Sequence, residues 1–380
     1  MRVTAQLLLL ASAGSAGYAH ADWQLNMPRG VTEISHAVFD LHMLIFWICV
    51  AIAVVVFGVM FWSIFHHRKS RGARVQHFHE NTLVEVIWTL IPFVILIGMA
   101  VPATATLVKM YDTSDAEVDI QITGYQWKWR YQYLGEDIDF FSNLTTPREQ
   151  INNAQAKTEN YLLEVDNPLV IPAGKKVRFL VTAADVIHSW WVPAFAVKKD
   201  AIPGFINEAW TNVPEPGIYR GQCAELCGKD HGFMPIVVEV KTPEDYATWL
   251  VDAKAKQAAT LAAASQSMSM EELMTRGEQV YNTACAACHQ VNGLGLPNVF
   301  PGLKDSPIAL GDINAHIDIV VNGKPGTAMQ AFKDQLSAVD LAAVITYERN
   351  AWGNNVGDLV EPATIQSLIE SKSQSDGGAQ

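Results

Sequence analysis

Two apolar runs without a charge, Met43 to Phe65 and Val86 to Val108, stand apart from the rest of the chain. At about 1.5 Å per residue each can cross a hydrocarbon layer of roughly 30 Å, so both are predicted to be membrane-spanning helices. The stretch between them carries Arg68, Lys69, Arg71 and Arg74, a bias that marks the cytoplasmic side and turns the outer ends of the hairpin outwards. From about Ala116 to Val240 the pattern changes. Runs such as Val118 to Thr123, Lys176 to Thr182 and Pro235 to Val240 alternate or cluster β-branched residues between Pro and Gly, as an all-β sandwich requires. An alanine-rich helical stretch, Glu244 to Ala264, follows and runs into the polar Ser265 to Ser269. Beyond it, Leu273 to Cys285 and Ser337 to Asn350 are predicted helices of a small all-α domain. The Ser/Asp/Gly/Gln-rich tail from about Ile365 is predicted to be disordered. There is no internal repeat.

The N-terminus adds a destination. Arg2, the apolar run Leu7 to Ala13 and the small residues ending Ala19, His20, Ala21 read as an export signal with its cleavage site. The mature chain would begin at Asp22, and loss of Arg2 takes the net charge from −12 to −13. The expected organisation is a signal over 1–21, an N-terminal segment and hairpin over 22–112 and a β domain over 113–245. A helical and polar linker over 246–269, a helical domain over 270–355 and a partly disordered tail over 356–380 complete it. Everything after about Met110 lies on the exported side of an inner (plasma) membrane. The acidic balance can steer a basic donor or serve only as a solvated surface, and no nucleic-acid partner is expected.

Candidate chemistry concentrates in two clusters. Cys223, Glu225, Cys227, His231 and Met234 share one short stretch and offer thiolate, imidazole and thioether, the ligands that select copper over hard cations. Two thiolates spaced four apart can bridge two metal ions, and His188, after the strand-like run Lys176 to Thr182, is placed to serve the second. A structural zinc site and a disulfide remain open for the same residues, though Met234 would be idle in either. The second cluster, Cys285, Cys288 and His289, is the attachment signature of a c-type haem, with His289 as an axial ligand. Met329, in a loop flanked by Gly323, Pro325 and Gly326, is the candidate sixth ligand; Met/His ligation suits electron transfer and closes the position that oxygen would need. Cys49, inside the first span, reads as an inert apolar filler. Glu85 opens the second span, where it reads either as part of a capping box with Thr82 at the N-cap or as an ionisable group at a proton path.

Four stretches carry a family resemblance: Lys199 to Asn207, the loop Gly221 to Pro235, Gly124 to Arg130 and Glu85 to Pro92. Together they resemble subunit II of haem-copper cytochrome c oxidase, and the domain holding Cys285, Cys288 and His289 resembles the fused cytochrome c of its caa3-type branch. The resemblance implies a multi-domain membrane protein: a two-helix transmembrane hairpin, an all-β cupredoxin domain and an all-α class I cytochrome c domain. It implies a dinuclear copper centre, CuA, bridged by Cys223 and Cys227 and capped by His188 and His231. Met234 would be a weak ligand and Glu225 would give its backbone carbonyl, its side chain turning to a magnesium ion at a subunit I interface. Trp127 matches the tryptophan at which electrons enter, Trp129 a packed strand aromatic, and Glu85 the carboxylate at the mouth of the proton path. Implied partners are a cytochrome c-type donor, the lipid membrane, a subunit I with haem a and CuB, and a subunit III. Electrons would pass from haem c through CuA to haem a, with oxygen reduction and proton pumping on subunit I. The alternative is a membrane-tethered copper-binding or copper-delivery protein without an oxidase partner, which leaves the haem motif and Glu85 without purpose. A nitrous oxide reductase-like carrier would need many more histidines than the 11 scattered here.

Overall fold

A computed structural model describes residues 26–72, 79–333 and 335–376. The export signal over 1–21, Asp22 and the loop residue Arg74 lie outside the described residues. Among the described residues two long helices come first, α1 (Glu33–His66) and α2 (Thr82–Tyr111). Both outrun the predicted spans, because polar capping residues extend them beyond the apolar runs. Their apolar side chains, such as Trp47, Phe57, Ile91 and Val101, are exposed over most of the length, as surfaces meant for lipid would be. Thr32 and Ser35 form a capping box at the start of α1. The Thr32 hydroxyl also donates to the Phe195 carbonyl at 3.1 Å, which pins the helix to the β domain. Glu33 and Lys109 form an ion pair between the two helices. At the start of α2 the N-cap is Asn81 and not Thr82: the Asn81 side chain accepts from the Val84 N–H, and Glu85 accepts from the Asn81 N–H at 3.4 Å. Asn is as good a cap as Thr, and its extended backbone here leaves Thr82 inside the helix.

Among the described residues ten strands follow: β1 (Val118–Tyr125), β2 (Lys128–Tyr133), β3 (Ile138–Ser142), β4 (Leu169–Pro172), β5 (Lys176–Ala183), β6 (His188–Val192), β7 (Val197–Ala201), β8 (Asn207–Asn212), β9 (Gly217–Cys223) and β10 (Pro235–Lys241). They form two five-stranded sheets, ordered β3-β2-β1-β5-β8 and β4-β10-β9-β6-β7. β1 pairs parallel with β5, Val118 opposite Val177, and β9 pairs antiparallel with β10, Gln222 opposite Pro235. Strict alternation along β5 buries Val177, Phe179 and Val181 completely, and Ile120, Trp190, Ile236 and Val238 join them. Each such side chain contributes about 1.5–3 kcal/mol by leaving water, which is what holds the register.

The helical part comprises α3 (Pro243–Ala264), α4 (Met270–Val280), α5 (Ile313–Asn322), α6 (Ala338–Asn350) and α7 (Pro362–Asp376), with a one-turn helix over Ala286–His289. The chain divides into two compact units, residues 1–129 with 142–242, and residues 130–141 with 243–380. Within the second, Trp249 of α3 packs on Tyr133, ring centroids 5.1 Å apart, and Lys254 pairs with Glu136. The core of the helical domain gathers Leu273, Tyr281, Val321, Leu341, Val344 and Ile345. α4 and α6 cross at Gly277, where a Cβ would lie 2.2 Å from the Ala343 carbonyl, so only glycine allows the approach.

The tail differs from expectation. α7 continues to Asp376, and Ile365 is fully buried in the helical core with Leu368 and Ile369 packed beside it. The polar composition of the last residues hides three apolar positions at helical spacing, 365, 368 and 369, which find a core to cover.

Candidate metal centre and haem pocket

The loop between the last two strands brings the first cluster together. Cys223 ends β9, His188 opens β6 on the neighbouring strand, and Trp190 pairs with Cys223 across the ladder. His188, Cys223 and Cys227 offer ligand atoms that all lie within 4.8 Å of one another, and all three residues are buried. The two sulfurs are 3.9 Å apart, far beyond the roughly 2.05 Å of a disulfide, and both cysteines are free. Cys223 Sγ faces His188 Nδ1 at 3.9 Å and donates to the Glu225 carbonyl at 3.4 Å. Cys227 Sγ faces His231 Nδ1 at 3.5 Å and Met234 Sδ at 3.6 Å. His231 stands outside the compact trio.

These separations are a test of fit. Ligands on one ion with arms of about 2.3 Å sit roughly 3.8 Å apart, so each sulfur and its neighbours can share an ion. His188, Cys223 and Cys227 are close enough together to share one ion, and His231 and Met234 extend the set of donors beyond Cys227. The atoms fall into a set around Cys223 and a set around Cys227, joined by the two sulfurs. Soft donors throughout suit copper.

Electrostatics separate the thiols. Burial raises the Cys223 thiol, but hydrogen bonds with His188 and with the backbone at Ser189 and Glu225 outweigh it and bring it down to about 7. Burial and the neighbouring Cys223 push Cys227 up to about 12. Cys223 is thus the first to become a thiolate.

Asp185 and Gln126, neither of them a candidate from the sequence, hold this loop together with Trp127 and Trp129. Asp185 Oδ1 lies 2.9 Å from His188 Nε2, and Asp185 Oδ2 accepts from the Gln126 N–H at 2.7 Å. The Gln126 amide and the Trp127 indole N–H both donate to the Cys227 carbonyl, at 2.8 and 3.2 Å. Gly228, at φ +120°, sits against Trp127, where a Cβ would be strained by the backbone and would crowd the ring at 3.0 Å. Trp129 is fully buried and donates to the Met234 carbonyl at 3.2 Å. An acid three positions before a histidine was the available signal for Asp185; nothing local marks Gln126.

In the helical domain, Cys285, Cys288, His289 and Met329 all line one cavity of about 330 Å³. Its remaining wall is mostly apolar, with Val299, Ile308, Val320 and Phe332. His289 Nδ1 lies 2.9 Å from the Pro301 carbonyl. That acceptor places the proton on Nδ1 and leaves the Nε2 lone pair free for a metal. Two thiols, a free imidazole nitrogen and a thioether around an apolar slot fit a covalently held haem. Burial raises the Cys285 thiol well above its ordinary range, with the charge of Glu348 adding to it. Glu85 is exposed in the first turn of α2, and the Glu225 side chain is exposed.

A two-helix membrane hairpin, a ten-stranded domain with a soft-ligand loop and a helical domain with a haem-attachment motif define a membrane-anchored electron-transfer protein. Residues 118–241 match the family described as cytochrome C oxidase subunit II, periplasmic domain, and residues 20–105 its transmembrane domain. Residues 272–347 match cytochrome C oxidase, cbb3-type, subunit III. The probable cytochrome c oxidase subunit 2 of Rickettsia felis is 36% identical over 250 residues, covering 66% of this chain and 78% of that protein. That of Rickettsia bellii is 39% identical over 228 residues, covering 60% and 83%. The periplasmic domain of subunit II of the Bradyrhizobium japonicum cytochrome oxidase is 43% identical, covers 38% of this chain and 98% of that one, and gives a TM-score of 0.34. The chain belongs to the cytochrome c oxidase subunit II family, and it carries a cytochrome c domain behind the periplasmic domain, an arrangement that fits the fused caa3-type subunit II.

Proposed function

We propose that this chain is the electron-receiving subunit of a terminal respiratory oxidase. Electrons from a cytochrome c-type donor reach haem a of a partner subunit I by way of a haem c and a dinuclear CuA centre, both held on this chain. Oxygen is reduced to water there, coupled to proton pumping. The observation that carries the reading is the pair of buried sulfurs 3.9 Å apart, each with its own imidazole Nδ1.

Cys223 and Cys227 would bridge the two coppers, with His188 and His231 capping one each, Met234 a weak ligand and Glu225 donating its carbonyl. The exposed Glu225 carboxylate is free to turn to a magnesium ion on a partner surface. When bound, the copper pair supplies one-electron exchange spread over two metals and two sulfurs. Cys285 and Cys288 would hold the haem through thioethers and His289 and Met329 would be its axial ligands; when bound, it supplies a second one-electron group. Trp127, tied by its N–H to the Cys227 carbonyl, presents its indole at the copper loop, where an electron would arrive. Glu85 stands at the cytoplasmic start of α2, where it would open a proton path into subunit I. The signal over 1–21 would be removed, leaving both exported domains on the periplasmic side of the plasma membrane, beside subunit I and a subunit III.

Purification from the membrane tests the reading. A haem-a-containing subunit, copper and covalent haem should travel with the chain, and Cys223→Ser should abolish the mixed-valence copper spectrum while sparing the haem. Isolation of the chain alone with zinc or a cystine at 223 and 227 would overturn it.

A further inference from the structure

One pair of buried groups in the helical domain has no part in holding the haem. His316, on α5, and Glu348, on α6, both line the cavity with Cys285 and Met329, and each is 3% exposed. His316 Nε2 lies 2.9 Å from Glu348 Oε2, and His316 Nδ1 is buried without a hydrogen-bond partner. A porphyrin slot gains nothing in stability from a carboxylate and an imidazole in its wall, since burying charge costs more than apolar packing in the same volume.

Haem attachment changes the surroundings of this pair. Cys285 belongs to the same surroundings: burial and then the charge of Glu348 raise its thiol. Thioether formation removes that S–H, and His316 remains the side chain hydrogen-bonded to Glu348. Most of the other ionisable groups nearby are occupied. Burial and then the charge of Glu348 raise Tyr281, which keeps it neutral. Arg349 is taken by Asp358 and by the carbonyls of Ala309 and Gly311. On α4, Arg276 pairs with Asp340 and Glu278 acts on Tyr347. On α5, Asp318 bonds Asn322 and Asp312 caps the helix. Cys288, His289 and Lys324 line the same cavity. α3 meets this core at Ala264, and α7 presents no ionisable side chain over residues 362–369.

We propose that His316 and Glu348 are a proton-exchanging pair in the haem wall, so that each electron arriving at the haem is accompanied by a proton taken up at His316 Nδ1. The inference rests on the reading of Cys285, Cys288, His289 and Met329 as the haem site. One electron from the donor lowers the charge of the pocket by one, and one proton from solvent, bound at the Nδ1 lone pair, restores it. The Nε2–H stays on its bond to Glu348 throughout, and reoxidation releases both electron and proton. Glu348 sets the affinity of His316 for that proton, which makes the two positioning residues for electron transfer.

The test is the midpoint potential of the haem in the purified full-length protein between about pH 5 and about pH 9, the range in which a histidine responds. The wild-type potential should fall as pH rises. His316→Gln should remove that dependence, and Glu348→Gln should raise the potential and displace the dependence to lower pH, with the Met–iron charge-transfer band retained in both. A flat wild-type profile, or the same slope in all three proteins as haem propionates would give, overturns the proposal. Should both variants fail to retain haem, proton uptake on reduction in weakly buffered solution is compared between the wild-type protein and the milder His316→Asn: uptake lost in the variant supports the pair, and uptake absent from the wild type or equal in both overturns it. Absence of covalent haem from the wild-type protein would bring down the haem-site reading itself, whereas covalent haem with a pH-independent potential brings down only this inference.

Discussion

Asp185 grips the outer nitrogen of His188 at 2.9 Å while the inner nitrogen faces Cys223 at 3.9 Å. The carboxylate fixes the tautomer and the ring plane and leaves the Nδ1 lone pair towards the Cys223 sulfur, where the proposed centre would sit.

Asp185→Asn should therefore loosen the centre without removing a ligand. Loss of an outer-shell partner typically weakens metal binding by about 10–100-fold. Copper retention against a chelator would measure it, and unchanged retention would remove Asp185 from the site.

Met329→Ala should leave the haem attached through Cys285 and Cys288. Its potential should fall and its iron should bind exogenous ligands, because the thioether is what raises the potential and closes the sixth position. Redox titration and carbon monoxide binding read the two effects. An unchanged potential would point to another axial ligand.

Gly277→Ala tests the helix crossing. The new methyl would meet the Ala343 carbonyl at 2.2 Å and the Tyr347 Cβ at 2.6 Å, both on α6. Overpacking of this kind costs about 1–3 kcal/mol, and more where backbone must shift. The helical domain should unfold at a lower temperature with the copper domain unaffected, and an unchanged transition would mean that the crossing relaxes freely.

Lys128 gives a pH signature. Burial pushes its ammonium down to about 8, against the pull of Asp166 and Asp185. An unfolded lysine keeps its proton to about pH 10.4, so between about pH 8 and that value the unfolded chain binds more protons and stability rises with pH. Below about pH 8 the full penalty is present, at most about 3 kcal/mol. Lys128→Met should be the more stable protein at pH 7 in urea unfolding, with the advantage shrinking towards pH 10. A constant advantage would trace the effect to packing instead of charge.

Much of this molecule could be read along the chain. Uncharged runs of membrane length, β-branched alternation at 176–182 and the spacing of Cys223, Cys227 and His231 are local patterns, and local patterns survive without knowledge of the fold. The misreadings were also local. Asn81 took the cap expected of Thr82 because two adjacent residues of similar propensity compete and the backbone chooses. Ile365 was lost in a polar tail because three apolar positions count for little until a core exists to receive them.

Ligand types and motif spacings are properties of the covalent chain, and with them came the membrane hairpin, the two cysteine clusters and the family. Partners a hundred positions apart, such as Trp127 and Cys227, or thirty-two apart, such as His316 and Glu348, have no signature in composition or period. They meet because sheet register and helix crossing bring distant backbones within reach, and hydrogen bonds act only over about 3 Å. Burial, and with it the contrasting protonation of Cys223 and Cys227, exists only once the chain has closed around them.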